Sequence, residues 1–216
     1  MRESDFPDID SPQPHLDEDF SKELSFQVWS TKGARFFSNR RLLAKQKWST
    51  YALTALSTYV IILNLMIVYG VLKPTALSNT VVAFSSTALS ILILIVSLLE
   101  SSRRYELQAS NFHRCSLELG QVYRRVRMMR TGPEPRVTRD QVEKLASDYE
   151  QILAAFENHD EIDFLMFQRT KAYFKLAAYR KAWTIVRWYF ETFFVYHAVV
   201  FSPLFLAAGY LLWQAA

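Results

Sequence analysis

The side chains best equipped for chemistry gather at two points far apart in the sequence: His113-x-Cys115, and the run Asn158-His159-Asp160-Glu161-x-Asp163. Brought together, imidazole, thiolate and carboxylates would suit a metal ion or a polar ligand. A lone His-x-Cys, however, lacks the second close His/Cys pair that metal sites normally repeat, so no metal is assigned. The alternative is that both histidines hydrogen-bond inside a packed helical stalk, as buried polar groups usually do. Other catalytic patterns are missing. With five glycines the chain has no phosphate-cradling loop, and it lacks Gly-x-Ser-x-Gly, His-Glu-x-x-His and paired Cys-x-x-Cys. Carboxylate pairs such as Glu157/Asp160 sit in ordinary helical charge runs. No catalytic residue and no cofactor are assigned, and a non-enzymatic protein is expected.

A second polar set lies in apolar surroundings. Thr50, Thr54, Ser57 and Asn64 share one helix face, as do Asn79, Ser86, Ser90 and Ser97. Two functions suit such stripes. They could line water when several copies assemble, with Thr54, Ser57, Asn64, Ser86, Ser90 and Ser97 as pore-lining candidates. Equally, small hydroxyl residues let helices pack closely and hydrogen-bond across the contact. Asn64 discriminates, because an amide at mid-membrane depth needs a partner or water.

The elements that carry these stripes are residues 48–72 and 76–99, neither of which contains Asp, Glu, Lys or Arg. Each exceeds the roughly 20 residues that cross a bilayer as a helix. The break at Lys73-Pro74-Thr75 turns the chain, giving a transmembrane hairpin. Basic residues flank it: Arg40, Arg41, Lys45 and Lys47 before, Arg103 and Arg104 after. These are assigned to lipid headgroups, and they put both flanks and the N-terminus on the cytoplasmic side of the membrane. Residues 1–23 hold eight acidic and two basic side chains, a balance of −6 that leaves +10 on the rest of a chain whose total is +4. That basic body favours anionic lipid over nucleic acid as partner. The proline-containing acidic start is expected as a disordered tail, with neither the basic first region nor the apolar core of a signal peptide. Cys115, the single cysteine, excludes an internal disulfide.

Beyond the hairpin, apolar residues recur with three- and four-residue spacing: Tyr105, Phe112, Cys115, Leu119, Val122, Val126 and Met129, then Val142, Leu145, Tyr149, Ile152 and Phe156. This predicts two helices with one seam each, joined across Gly132-Pro133-Glu134-Pro135, and a helix start around Thr138. If Met129 faces Val142, Phe112 and His113 stand level with Asn158 and His159. The expected organisation is all-α: a tail at 1–23, an amphipathic basic cytosolic helix at 24–47, the membrane hairpin at 48–99, a cytosolic helical hairpin or stalk at 100–187, and a third apolar stretch at 188–213. The last is expected to be a third transmembrane helix, the alternative being a helix that lies in the interface.

Several motifs follow one another around this hairpin: Trp29-x-Thr31-x-x-Ala34-Arg35, Arg41-Leu42, Trp48-Ser49 and Ser57-x-Tyr59-x-Ile61-Ile62. After it come Tyr105-Glu106-x-x-Ala109-x-x-Phe112-His113-x-Cys115-x-x-Glu118-Leu119, then Tyr149, Ile152-Leu153 and Asn158-His159-x-x-Ile162-Asp163. In this order they resemble the SLATT family of two-span membrane effectors, in particular the subfamily with an extra C-terminal hydrophobic helix. The resemblance runs from about Phe26 to Tyr179. It implies an immunity effector that forms homo-oligomers and permeabilises the inner membrane on an infection signal, beside a nucleotide-signalling or sensor protein. Tyr105, Phe112, His113, Asn158, His159 and Asp163 are then the signal-coupling candidates. The alternative function is a membrane-anchored scaffold that recruits or restrains a cytosolic partner.

Overall fold

A computed structural model describes residues 19–70, 76–131 and 138–215. The turn at 73–75, the Gly-Pro turn and most of the acidic tail lie outside the described residues. Among the described residues seven α-helices follow one another: α1 (Phe20–Val68), α2 (Ala76–Ser102), α3 (Tyr105–Arg130), α4 (Arg139–Ala155), α5 (Glu161–Arg169), α6 (Ala178–Thr192) and α7 (Phe194–Ala215). A 3-10 turn, Ala172–Phe174, lies between α5 and α6. There is no strand among the described residues.

The chain divides into two compact units, one holding the chain up to Leu43 with Glu106–Tyr189, the other Ala44–Tyr105 with the chain from Phe190. In the first unit the two predicted seams meet: Cys115, Leu119, Val122 and Val126 of α3 pack with Leu145 and Tyr149 of α4. The heptad spacing makes that seam, since it returns every third or fourth side chain to one face. A third helix closes it. Leu24 and Val28 of α1 belong to the same core, and the Tyr149 hydroxyl shares a hydrogen bond of 2.9 Å with Thr31. α1 begins at Phe20, so residues 20–23, expected in the tail, form its first turn. The lead-in helix at 24–47 and the first span are one uninterrupted helix. α4 starts where Thr138 predicted, with the Gln141 side chain accepting from the Thr138 N–H at 3.4 Å.

A second, aromatic cluster joins α1 to α5. Trp29 meets Phe167 edge-on at 4.8 Å and stacks on Phe174 at 6.0 Å. Gly33 makes room for it, because a Cβ there would stand 2.1 Å from the Phe167 ring.

In the second unit, the apolar windows of α1 and α2 have mean hydropathies of 1.9 and 2.4, and only 11 % and 6 % of their residues are buried. A core helix of a soluble protein would hide such a surface. These two are membrane spans. α7 packs on both: the Tyr59 hydroxyl donates to the Val200 carbonyl at 2.9 Å, Tyr196 donates to Glu100 at 2.9 Å, and the Trp48 and His197 rings meet at 4.2 Å. The apolar stretch expected as one element at 188–213 is broken at Phe193, between α6 and α7. Glu191 therefore falls on α6, and α7 alone has the length to cross.

Candidate functional site

Two polar constellations are built by these elements, one in each unit. The first unites α1 with the start of α5. Asp160 is the N-cap of α5 and Asp163 stands in its first turn, where the helix dipole favours carboxylates. Arg41 reaches Asp163 side-on, Nε to Oδ1 at 2.8 Å and Nη2 to Oδ2 at 2.7 Å. Its Nη2 also bonds Asp160. Ser38, one helical turn before Arg41, donates to Asp163 Oδ2 at 2.7 Å. The Asp163 side chain is wholly buried, and three short charge-assisted or hydroxyl bonds satisfy it. Burial pulls the Arg41 guanidinium down, but the bonds to Asp163 and the fields of both aspartates raise it on balance. Arg41, expected at lipid headgroups, is thus the counter-ion of an interior carboxylate. Charge counting could not see this, because it registers sign and not depth.

Beside this network lies a second interior arginine. Arg35 is 2 % exposed. Its guanidinium stands over the Phe112 ring at 5.3 Å, and its Nε and Nη1 have no hydrogen-bond partner among the described residues. Burial holds its pKa below the usual arginine value, with Cys115 and Tyr149 acting weakly the other way. His159 also buries an Nδ1 without a hydrogen bond. Burial first, then the charge of Arg35, lowers its pKa against the opposing pull of Asp163 and Asp160.

The predicted signal-coupling residues divide accordingly. Asp163, His159 and Phe112 are drawn into one neighbourhood by α1. Asn158 is exposed and accepts the His159 N–H at 2.9 Å. His113 is exposed and packs edge-on to Phe36 at 5.7 Å, while His159 tilts against Phe164 at 6.2 Å. Each histidine has its own aromatic partner, because α1 enters the hairpin that sequence spacing drew as two helices. Tyr105 belongs to the other unit, where its hydroxyl accepts from Arg103 at 2.9 Å. Of the other residues expected at lipid headgroups, Arg40, Lys47, Arg103 and Arg104 are exposed and Lys45 is half-buried. Among the described residues no cluster of three metal-ligating side chains occurs. Sequence reasoning missed Ser38 as a partner and the burial of Arg35. A usable signal was Asp163 itself, set inside Ile162-Asp163-Phe164-Leu165-Met166-Phe167, where an acid among apolar residues needs a cation.

The second constellation is a polar lock between the spans. Asn64 Nδ2 lies 2.8 Å from Ser86 Oγ and 2.9 Å from the Val60 carbonyl, and Ser86 Oγ lies 3.0 Å from Asn64 Oδ1. Two of the six pore-lining candidates therefore bond each other. Ser57 and Ser97 are half-buried, whereas Thr54 and Ser90 are exposed. Thr54 and Ser90 bond the carbonyls four residues back at 2.9 and 2.8 Å, which shelters a hydroxyl in an apolar setting.

A family model described as "SMODS and SLOG-associating 2TM effector domain family 5" matches residues 17–209. No curated protein and no solved structure matches the chain.

Proposed function

Because the chain belongs to the SMODS and SLOG-associating 2TM effector domains, family 5, we propose that it is a membrane effector of a prokaryotic antiviral defence system. Several copies assemble and permeabilise the inner membrane when a signal, nucleotide-linked or relayed by a neighbouring sensor protein, reaches the unit built on α3–α5. Cell death or arrest follows. α7 is the third span, and the N-terminus is cytosolic.

The observation that carries this reading is the exposure of hydroxyl residues along two apolar helices. Thr54 and Thr58 of α1 and Thr87 and Ser90 of α2 all face outward. Three helices are too few to enclose water, so these faces serve a pore only when copies meet. Asn64 and Ser86 hold one copy's hairpin together, and the lining falls to the exposed set. Bacteria expressing the protein and loaded with a voltage-sensitive dye provide the test. Depolarisation by the wild type, abolished in Thr54→Leu/Ser90→Leu at equal membrane content, is the expected outcome. Equal depolarisation by that variant would move the lining elsewhere. An undisturbed potential, even during phage challenge beside its genomic neighbours, would favour a membrane-anchored scaffold.

A further inference from the structure

α6 is packed by the wrong side for a helix in water. Its buried positions are Thr184 and Thr192, at 5 % and 2 % exposure. On the opposite face Tyr179, Trp183, Val186 and Phe190 form one line at helical spacing, exposed by 68 %, 66 %, 43 % and 54 %. Tyr189 lies beside them, also exposed. A water-facing amphipathic helix would turn the aromatics inward and the threonines outward. A contiguous apolar line of this size marks a surface that something covers.

Charge and chain continuity name the cover. Arg180 and Lys181 on α6, with Lys171 and Lys175 just before it, are exposed. Glu191 is the only acid on the helix, and Arg187 pairs with Glu161 at 3.0 Å. Tryptophan and tyrosine are the side chains that settle at the boundary between headgroups and acyl chains, and basic residues beside them meet lipid phosphates. One residue, Phe193, separates α6 from α7, an apolar helix hydrogen-bonded to both spans. We propose that α6 is an interfacial anchor. It lies in the cytoplasmic headgroup layer, with Tyr179, Trp183, Val186 and Phe190 among the upper acyl carbons and Arg180 and Lys181 on anionic glycerophospholipid.

The full chain reconstituted into phosphatidylcholine vesicles, with or without phosphatidylglycerol, tests this directly. A Trp183→Cys variant carries a polarity-sensitive fluorophore at the line's centre, and a Gln151→Cys variant on exposed α4 is the reference. Cys115 is buried and stays native. With phosphatidylglycerol present, the probe at 183 should be blue-shifted and quenched several-fold more strongly by shallow bromolipids than the probe at 151. Arg180→Glu/Lys181→Glu should weaken that quenching and leave α1 and α2 inserted. Overturning outcomes are a probe at 183 as open to aqueous iodide as the one at 151, or one shielded only where labels from two copies crosslink. Resistance of the protein to carbonate extraction, read in parallel, keeps the two hypotheses apart: an inserted chain with an aqueous α6 defeats the anchor alone, whereas an extractable chain defeats the membrane effector itself.

Discussion

At the scale of single residues, Arg41 and Asp163 form an interior ion pair whose two members are unequal in what they need. The carboxylate is wholly buried and spends its oxygens on Arg41 and Ser38. Removing the cation leaves that charge with one hydroxyl, and breaking a buried pair from one side costs about 3–5 kcal/mol. Arg41→Met should therefore destabilise the unit of α3–α5 by roughly 3 kcal/mol or more. Asp163→Leu placed on top of it should recover most of the loss, because two apolar side chains need no desolvation. Denaturant melts of the two variants in detergent check this; equal melting of both would mean that the pair carries little of the stability. The sequence shows Arg41 and Asp163 as charges near a membrane and near a motif, but burial depends on which helix arrives opposite, and no local pattern records that. Arg35 is the sharper case. Its neighbours Ala34 and Phe36 hint at an interior position, yet nothing nearby in sequence names Phe112 or His159 as its surroundings.

The elements themselves were more legible than their partners. Heptad spacing placed the α3 and α4 seams correctly, since periodicity is a property of one helix. It could not show that α1 is the third member of that core: Leu24 and Val28 are too few to stand out within a helix that is mostly polar there. The break between α6 and α7 has neither glycine nor proline at Phe193, so hydropathy ran the two helices together. The Asn64–Ser86 lock was legible as two polar faces, but spacing alone could not separate a helix contact from a water-filled lining. Its geometry predicts an energetic coupling. Asn64→Leu and Ser86→Ala, singly and together, should show a non-additive term of about 0.6 kcal/mol, the average for hydrogen bonds between membrane helices, and no more than about 1.7 kcal/mol. Additive effects in that cycle would return Asn64 to the list of residues facing water.

For the molecule as a whole, α1 is an element that both units share, as the C-terminal end of α6 also is. It contributes Leu24, Val28, Arg35, Ser38 and Arg41 to the first, and from Ala44 onward Trp48, Tyr59 and Asn64 to the second. An α-helix without a glycine or proline between Arg41 and Val68 resists bending, because each turn is held by its own hydrogen bonds. A change in the surroundings of Arg41 can then reach Asn64 along the helix itself, without a separate messenger. Three glycines inserted between Leu43 and Ala44 would interrupt that route at the unit boundary. Each glycine weakens a helix by about 1 kcal/mol relative to alanine, enough to make the junction pliant while the two packed units keep their own contacts. The insertion variant should reach the membrane and retain the denaturant melt that reports on the Arg41–Asp163 pair, yet lose the depolarisation expected of the wild type. Three alanines at the same place lengthen the helix without softening it. They separate the two ways of failing: if they restore depolarisation, stiffness is what matters, and if they do not, the rotational phase between Arg41 and the span matters as well. Wild-type depolarisation by the glycine variant would exclude α1 as the path and leave the two other covalent links between the units, the run of α6 into α7 and the loop between α2 and α3, where Arg104 holds a left-handed backbone at φ +49°.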